Sequence, residues 1–102
     1  MQPRTLTLIT IVVEELLAER LVRDLQRAGM TGYTRGDVRG EGRRHLRDPW
    51  EGNNVRIESL VTAEVAERML ARLTADYLPH YAIVAWTSEV RAFIAEGHIV
   101  AP

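Results

Sequence analysis

Glycine is concentrated in one polar stretch of this chain, residues 40–54. Its sequence is G-E-G-R-R-H-L-R-D-P-W-E-G-N-N, and its three Gly, one Pro and two Asn leave it without a helical or strand period. Gly40 and Gly42 permit positive φ angles and close approach of a ligand to the backbone, which exposes amide N–H groups to an anion. Loops longer than about 12–15 residues in small domains are usually functional or disordered. We therefore expect this flexible loop to carry function.

Three arginines follow these glycines and add positive charge to the same loop. Arg43, Arg44 and Arg47 carry guanidinium groups, which bind pairs of oxygens on phosphate or carboxylate groups. The combination favours a phosphorylated or carboxylated ligand. A solvated turn with scattered charges would have a similar composition, so the motif alone leaves both interpretations open.

Residues suited to covalent or metal chemistry are scarce. The sequence has no Cys, which excludes thiol catalysis, disulfide bonds and thiolate metal sites. All thirteen basic residues are Arg, which also excludes a lysine nucleophile and a Walker-type phosphate loop. His45, His80 and His98 are too scattered for a convincing metal-ligand set, and no acidic residue is spaced with a His or Ser as a general base would be. We predict no catalytic residue and no metal site.

The composition is typical of one soluble domain. The 102 residues are 46% hydrophobic and 26% charged, amounts that suit a single core. A net charge of -1 argues against a nucleic-acid binder held by an overall positive field. No apolar stretch approaches the ~20 residues of a membrane span, and Thr5, Thr7 and Thr10 interrupt the first apolar run where a signal peptide would continue. We expect a cytoplasmic protein that is not embedded in a membrane.

The first half of the chain predicts a strand, a helix and a second strand. Leu6–Val13 is rich in β-branched residues and short enough for a strand buried on both faces. Leucines at four-residue spacing then mark one face of a helix, which begins at Glu14 or Glu15 and ends at Gly29 in a left-handed turn. Gly32–Arg39 is the second predicted strand.

The second half repeats this order after the loop. Residues 55–61 alternate as a half-buried strand, and Thr62 is a candidate N-cap for a helix that ends before Pro79. Tyr81–Thr87 is the fourth predicted strand. We predict a short helix over Ser88–Ala95 and a tail over 97–102.

Two strand–helix–strand halves predict an α+β, ferredoxin-like βαββαβ domain with an antiparallel four-stranded sheet and both helices on one face. Such a sheet leaves its second face without a helix. Leu8, Val12, Ile83 and Ala85 are among more apolar residues than one face can use, and an exposed apolar sheet face is typical of an interface. We therefore expect a homo-oligomer that packs sheet against sheet.

Two segments resemble the PII signalling family. They are G-Y-T-R-G-D-V-R-G-E-G-R-R at residues 32–44 and V-R-I-E-S-L-V-T at residues 55–62. The branch associated with bicarbonate transport and carboxysomes is more similar still, because its long loop begins G-x-G-x-R-x-x-R. The matching positions here are Gly40, Gly42, Arg44 and Arg47. That branch also has a later Y-x-x-x-Y-A, which residues 77–82 match.

The resemblance implies a homotrimer that binds adenine nucleotides in clefts between subunits and contacts a partner through the long loop, the T-loop. The implied nucleotide-binding residues are Thr34, Gly40, Gly42, Arg43, Arg44, Arg47, Leu60, Tyr81 and Ala82. Tyr81 and Ala82 would come from the neighbouring subunit. Bicarbonate is the implied second ligand, for which Arg44 and Arg47 are the candidates. His45 and Trp50 are candidate partner contacts, since Trp is frequent in binding hot spots, although Trp50 could instead cover the cleft.

Departures from the family pattern narrow the expected ligands. Typical PII proteins carry a glycine- and lysine-rich loop that holds the outer phosphates, and residues 77–81, Y-L-P-H-Y, lack both residue types. Arg44 stands where a Gln helps to bind magnesium and 2-oxoglutarate, and the loop has no Tyr for covalent modification. We expect AMP or ADP to bind more tightly than ATP, without 2-oxoglutarate sensing or uridylylation.

The resulting hypothesis is a non-enzymatic regulator whose ligand switches the T-loop to control a bicarbonate transporter or another inorganic-carbon partner. A small trimeric nucleotide hydrolase using the same cleft is the main alternative. One Phe, three Tyr and the slight negative charge disfavour an RNA-binding ferredoxin-like domain. The lack of Cys disfavours a trimeric metal-tolerance protein of similar fold.

Overall fold

A computed structural model describes residues 2–38 and 53–95. Its elements are β1 (Arg4–Glu14), α1 (Glu15–Arg27), β2 (Thr34–Val38), β3 (Asn54–Val61), α2 (Ala63–Asp76) and β4 (Val84–Ala92). This order confirms the βαββαβ prediction. Most of the predicted T-loop, and the predicted tail over 97–102, lie outside the described residues. Within the described ranges no helix is both long and apolar enough to cross a membrane.

The four strands form one antiparallel sheet in the order β2-β3-β1-β4. β1 is therefore a central strand, which explains its continuous run of apolar residues. Ile9 through Val13 are all buried, as predicted for a strand covered on both faces. Because directly opposed residues of an antiparallel sheet share a face, the strand register assigns each side chain to one face or the other.

One face of the sheet packs against both helices and contains the main core. β1 contributes Ile9, Ile11 and Val13 to it, at the spacing of two that a strand requires. The partner residues from β3 and the helices are Val55, Ile57, Val61, Ala18, Leu21, Val22, Leu25, Val65, Ala66, Met69 and Leu73. We call this the helix-covered face.

The end of α1 depends on a glycine. Gly29 has a φ of +119°, the left-handed conformation that the sequence predicts, and the N–H of Met30 donates to the Leu25 carbonyl at 3.0 Å. A Cβ at Gly29 would lie 3.2 Å from a Val65 methyl carbon, so the glycine also permits close approach of α2. Arg68 of α2 adds a bond from its Nε to the Ala28 carbonyl at 3.0 Å. The turn therefore joins the two helices.

α2 begins at its predicted cap. The Thr62 hydroxyl accepts a hydrogen bond from the Val65 N–H at 3.3 Å, and Glu64 lies in the first turn, where the helix dipole favours an acidic residue. The helix ends at Asp76, before Pro79, as predicted.

The prediction for the fourth strand is wrong at both ends. β4 begins at Val84 rather than at Tyr81, and it continues through Ser88 to Ala92, where the sequence predicts a short helix over Ser88–Ala95. Its pairing with β1 extends from Val12↔Val84 to Arg4↔Ala92 and supplies backbone partners that no local pattern reveals. β2 is likewise shorter than predicted, since Gly32 and Tyr33 precede its first residue, Thr34.

The opposite face of the sheet, which we call the second face, carries a different set of side chains. Leu8 and Val12 lie on it, whereas Ile83 and Ala85 contact the core of the helix-covered face. The apolar residues singled out by the sequence are thus divided between the two faces. The second face also includes the exposed Leu60 and Trp86, which are 37% and 44% accessible.

Candidate functional site

A cleft of about 670 Å³ opens beside the second face of the sheet. Four chain segments form it: β1, the residues that lead into β2, the second half of β3, and the residues that follow β4. The described residues that line it are Leu8, Thr31, Gly32, Tyr33, Thr34, Glu58, Ser59, Leu60, Phe93, Ile94 and Ala95. Thr34 and Leu60, two of the predicted nucleotide-binding residues, are therefore in the same cleft.

The strand register brings the cleft residues together. Leu60 of β3 is opposite Leu8 of β1, and Glu58 of β3 is opposite Thr34 of β2. These four side chains belong to the second face and form two neighbouring rows. Residues separated by 52 positions in the chain thus become adjacent, as Leu8 and Leu60 are.

Part of the cleft wall is apolar and accessible. Leu60, Tyr33 and Phe93 retain 37%, 42% and 58% of their accessible surface. Exposed aromatic rings favour offset stacking or edge contacts with another flat ring. This side of the cleft can therefore accept a planar, largely apolar group.

Glu58 provides the negative charge of the cleft. Its Oε2 accepts a hydrogen bond from the Thr10 hydroxyl at 2.9 Å, and its Oε1 lies 3.2 Å from Arg56 Nε. Glu58 is thus paired with an arginine and remains partly accessible to solvent. An ionised carboxylate has about four acceptor positions, so these two contacts leave capacity for hydroxyl or amine donors of a ligand.

The Ser59 hydroxyl has a structural partner. It donates to the Gly32 carbonyl, which ties the segment before β2 to the middle of β3. Ser59 is 3% accessible, and within the described chain no buried side-chain polar atom lacks a partner. The bond holds Tyr33 and Thr34 beside Leu60.

Positive charge is missing from the described part of the cleft wall. Glu58 is the charged residue there, and none of the described lining residues is Arg or His. Such a wall suits the uncharged part of a ligand, because its charged residue is a carboxylate that is already paired with Arg56, which lies outside the lining. Cationic groups for an anionic ligand must come from another segment.

Tyr81 and Ala82 lie at the other end of the sheet. They precede β4, whose first residue Val84 pairs with Val12, whereas the cleft centres on Leu8. Four residues of extended strand, roughly 13 Å, separate Leu8 from Val12. A single protomer therefore does not bring Tyr81 and Ala82 to the cleft that holds Thr34 and Leu60.

The connection between α2 and β4 is held by an aromatic cluster. Arg20 of α1 lies with its Cζ 5.3 Å from the Tyr77 ring centroid and 5.8 Å from that of Tyr81. Its Nη1 also donates to the Tyr81 hydroxyl at 3.4 Å, a contact that raises the pKa of Arg20 further above its ordinary value. We call Arg20, Asp24, Tyr77 and Tyr81 the Arg20 cluster.

Tyr77 is the buried member of the Arg20 cluster. Its ring is completely buried, and its hydroxyl donates to Asp24 Oδ2 at 2.5 Å. Burial, together with the nearby Asp24 carboxylate, raises the pKa of Tyr77 from 10.0 to about 12. Asp24 is also paired with Arg27 at 3.1 Å. The phenol therefore keeps its proton at neutral pH and acts as a hydrogen-bond donor.

The chain on either side of residues 39–52 is anchored where β2 and β3 meet. Val38 pairs with Asn54, and the Asn53 carbonyl accepts from the Glu15 N–H at 2.9 Å. Nearby, Arg35 lies 4.0 Å from Glu15. The predicted ligand and partner residues of the loop all lie outside the described residues: Gly40, Gly42, Arg43, Arg44, His45, Arg47 and Trp50.

Sequence reasoning missed several residues of this region. Tyr33 and Phe93 line the cleft, and Trp86 is exposed on the second face opposite Thr10. Val84, Trp86 and Val90 are separated by even numbers of residues, so they share one face of a strand. This spacing could have placed Trp86 on the second face. Phe93 gave no such signal, because its position depends on β4 extending to Ala92.

Comparison with protein families identifies one match. The family model described as nitrogen regulatory protein P-II matches residues 6–95, which include every helix and strand except the first two residues of β1.

Several solved structures are similar along most of their length. A candidate PII-like signaling protein from Thermus thermophilus is 47% identical, with a TM-score of 0.77 over 90% of this chain and 93% of that one. CPII from Thiomonas intermedia, solved with ADP, AMP and bicarbonate, is 20% identical, with a TM-score of 0.76 over 92% and 99%. The GlnK-ATP complex of B. subtilis is 20% identical, with a TM-score of 0.59 over 84% and 82%.

Proposed function

Because this chain belongs to the nitrogen regulatory protein P-II family, we propose that it is a non-enzymatic regulator that binds AMP or ADP between the subunits of a homotrimer. The observation that carries the proposal is the cleft in which Thr34, Glu58 and Leu60 meet. Its wall combines an accessible apolar side with one carboxylate, as the base and sugar of a nucleotide require.

The cleft corresponds to the adenosine end of the ligand. Leu60, Tyr33 and Phe93 would contact the planar base, since their side chains are accessible. Glu58 would accept hydrogen bonds from the sugar hydroxyls or the base amine with its unused acceptor positions. A phosphate at the same place would approach a carboxylate whose ion-pair partner, Arg56, is already engaged, so we place the phosphate away from Glu58.

The T-loop would supply the phosphate end. Backbone N–H groups at Gly40 and Gly42 and the guanidinium groups of Arg43, Arg44 and Arg47 offer the donors that a phosphate needs. Residues 77–81 contain no Lys to hold outer phosphates. AMP and ADP are therefore expected to bind more tightly than ATP.

A second copy of the chain would complete the site. Tyr81 and Ala82 are too far along β1 from the cleft to reach the same ligand within one protomer, so a neighbour would provide them. The second face supplies a surface for association, because it carries the accessible Trp86 and Leu60. Tryptophan is frequent at subunit interfaces.

Bicarbonate is the proposed second ligand. It is planar and presents oxygens that guanidinium groups bind in pairs, so Arg44 and Arg47 are the proposed contacts. The similar CPII protein was solved with ADP, AMP and bicarbonate, and this supports the choice of ligands to test.

The output would be a change in the T-loop. Ligand binding would favour one loop state, and that state would change affinity for a membrane bicarbonate transporter or another inorganic-carbon partner through His45 and Trp50. The protein would then act in the cytoplasm and be recruited to the inner face of the membrane. Reciprocity requires that a partner preferring the ligand-free loop weakens nucleotide binding by the same factor.

Titration calorimetry with adenosine, AMP, ADP and ATP, each with and without bicarbonate, tests the proposal. Arg44→Ala and Arg47→Ala are expected to weaken AMP and ADP by about tenfold each while leaving adenosine and the oligomeric state unchanged. Arg23→Ala, on the exposed side of α1, is the matched control for loss of one positive charge. Unchanged affinity in both loop variants contradicts the assignment, and so does steady release of phosphate from ADP or ATP in a malachite-green assay.

A further inference from the structure

We infer that Arg20 is a positioning residue for the ligand site, because it holds the α2–β4 connection in the conformation that presents Tyr81 and Ala82. This inference rests on the proposed function, in which those two residues contact a nucleotide bound to the neighbouring subunit. Arg20 itself would not touch the ligand. Its role would be to order the connection before the ligand arrives.

The geometry of Arg20 is that of a clamp on two rings. Its guanidinium carbon is 5.3 Å from the Tyr77 centroid and 5.8 Å from the Tyr81 centroid, and the rings are 6.0 Å apart at an interplanar angle of 44°. Both distances are within the range of cation–π attraction. Arg20 also donates to the Tyr81 hydroxyl at 3.4 Å, so it contacts Tyr81 in two ways.

One ring of this pair is immobilised by the core, and the other is not. Tyr77 is completely buried and bonded to Asp24, whereas Tyr81 is only partly buried. Arg20 therefore connects the partly buried ring to a rigid neighbour. Without Arg20, Tyr81 would keep its backbone turn and its contacts with Tyr77 and His80.

The backbone between the two tyrosines forms a tight turn that leads directly to the proposed ligand residues. The N–H groups of His80 and Tyr81 both donate to the Tyr77 carbonyl at 3.0 Å. The next residues, Ala82 and Ile83, belong to neither a helix nor a strand and lead into β4. The direction in which Tyr81 and Ala82 point is consequently set by this turn and by the Arg20 contact.

Holding a binding segment in place before the ligand arrives improves affinity because less conformational entropy is lost on binding. Arg20→Ala removes both ring contacts and the hydroxyl contact. Because Arg20 is exposed, we expect AMP and ADP to bind about two- to fivefold more weakly to this variant. Arg20→Lys keeps a cation near the rings but loses the planar fork, so its affinity should lie between those of wild type and Arg20→Ala.

The experiment combines calorimetry with amide hydrogen exchange of the ligand-free protein, using Arg23→Ala as the matched control on the same helix. Exchange should be faster over residues 78–83 in Arg20→Ala than in Arg23→Ala, with unchanged exchange in β1 and β3. The oligomeric mass and the melting temperature are measured alongside. A general structural role would instead raise exchange throughout the sheet.

The outcomes separate this inference from the proposed function. Wild-type binding of AMP or ADP together with equal affinities in Arg20→Ala and Arg23→Ala overturns the role of Arg20 and leaves the proposed function standing. A wild-type protein that binds no adenylate overturns both. Equal exchange over residues 78–83 in the two variants shows that Arg20 does not order the α2–β4 connection, and this result needs no ligand. If Arg20→Ala melts too early to titrate, Arg20→Lys supplies the affinity, and a value equal to that of wild type overturns the inference.

Discussion

The two faces of the sheet are built from the same strands, yet their side chains differ in type and in accessibility to solvent. Ile57 and Arg56 show this most simply, because they are neighbours on β3 that point to opposite faces. Ile57 is 1% accessible and packs under the helices, whereas Arg56 is exposed and pairs with Glu58. The side chains of the helix-covered face are buried by contacts with the two helices of the same chain. The second face mixes buried residues of β1, such as Thr10 and Val12, with accessible apolar and charged side chains on the neighbouring strands.

This difference separates residues that make the fold from residues that stay accessible to a ligand or another subunit. A face of Ile, Val and Leu needs only a matching apolar surface, which α1 and α2 provide. A face that carries Trp86, Leu60 and Glu58 in accessible positions is suited to a ligand or another subunit. Substitutions on the two faces should therefore change different measurable properties.

The largest effect is expected in the core. Ile57→Ala should lower the free energy of unfolding by about 2–5 kcal/mol, because it removes buried methyl groups and leaves a cavity beneath the helices. Arg56→Ala is the matched control, and it should cost less than about 1 kcal/mol because its ion pair is accessible to water. Urea denaturation at one fixed protein concentration gives both values. Similar losses from the two variants would remove the distinction between the faces.

The next effect concerns association through the second face. Trp86→Arg should convert the proposed trimer into a monomer that keeps its secondary structure, because a charge replaces an apolar anchor. Thr87→Arg, at the next position on β4 and pointing to the other face, should leave the mass unchanged. Native mass spectrometry and circular dichroism measure the two properties. A Trp86→Arg protein with the mass of wild type would show that association uses another surface.

A smaller effect is expected at the cleft. Leu60→Ala should weaken binding of adenosine, AMP and ADP by a similar factor, about fivefold, because the side chain would contact the base shared by all three. Leu16→Ala removes an exposed leucine of α1 that is not among the described lining residues of the cleft, and it serves as the control. Titration calorimetry distinguishes this pattern from that of the T-loop arginines, whose loss should spare adenosine. An effect confined to AMP and ADP would contradict the proposed orientation, in which Leu60 contacts the base.

The smallest effect is expected at high pH for Tyr77, which belongs to the core of the helix-covered face. The pKa of Tyr77 is raised from 10.0 to about 12, so the stability associated with this shift is complete below pH 10 and is lost as the pH rises towards 12. Tyr77→Phe should remove the contribution of this residue to the pH dependence in that window and should cost about 1 kcal/mol at neutral pH through the lost bond to Asp24. Urea midpoints of both proteins across the window measure the difference. Parallel pH profiles would show that the Tyr77 phenol is not protected in the fold.

Elements with local signals were the most predictable. The leucine period of α1, its end at Gly29 and the Thr62 cap of α2 all depend on residues within a few positions of one another. The end of β4 was not predictable in this way, because residues 88–92 become a strand by pairing with Arg4–Leu8. Backbone pairing across 80 to 88 residues outweighs weak local preferences.

The candidate site shows the same division. Thr34 and Leu60 could be proposed from the family resemblance, and both line the cleft. Tyr33 and Phe93 could not be grouped with them, since the grouping needs the register of the sheet and the full length of β4. The aromatic contacts of Arg20 needed the packing of α1 against the α2–β4 connection.

The order of helices and strands and the residue types available for chemistry could be read directly from the amino-acid sequence, because periodicity, capping and composition act over short distances along the chain. Which side chains share a face, a cleft or the Arg20 cluster became apparent from the folded arrangement of the chain. Strand register places residues side by side without regard to their separation in sequence, and shifting it by one residue would turn every side chain to the opposite face.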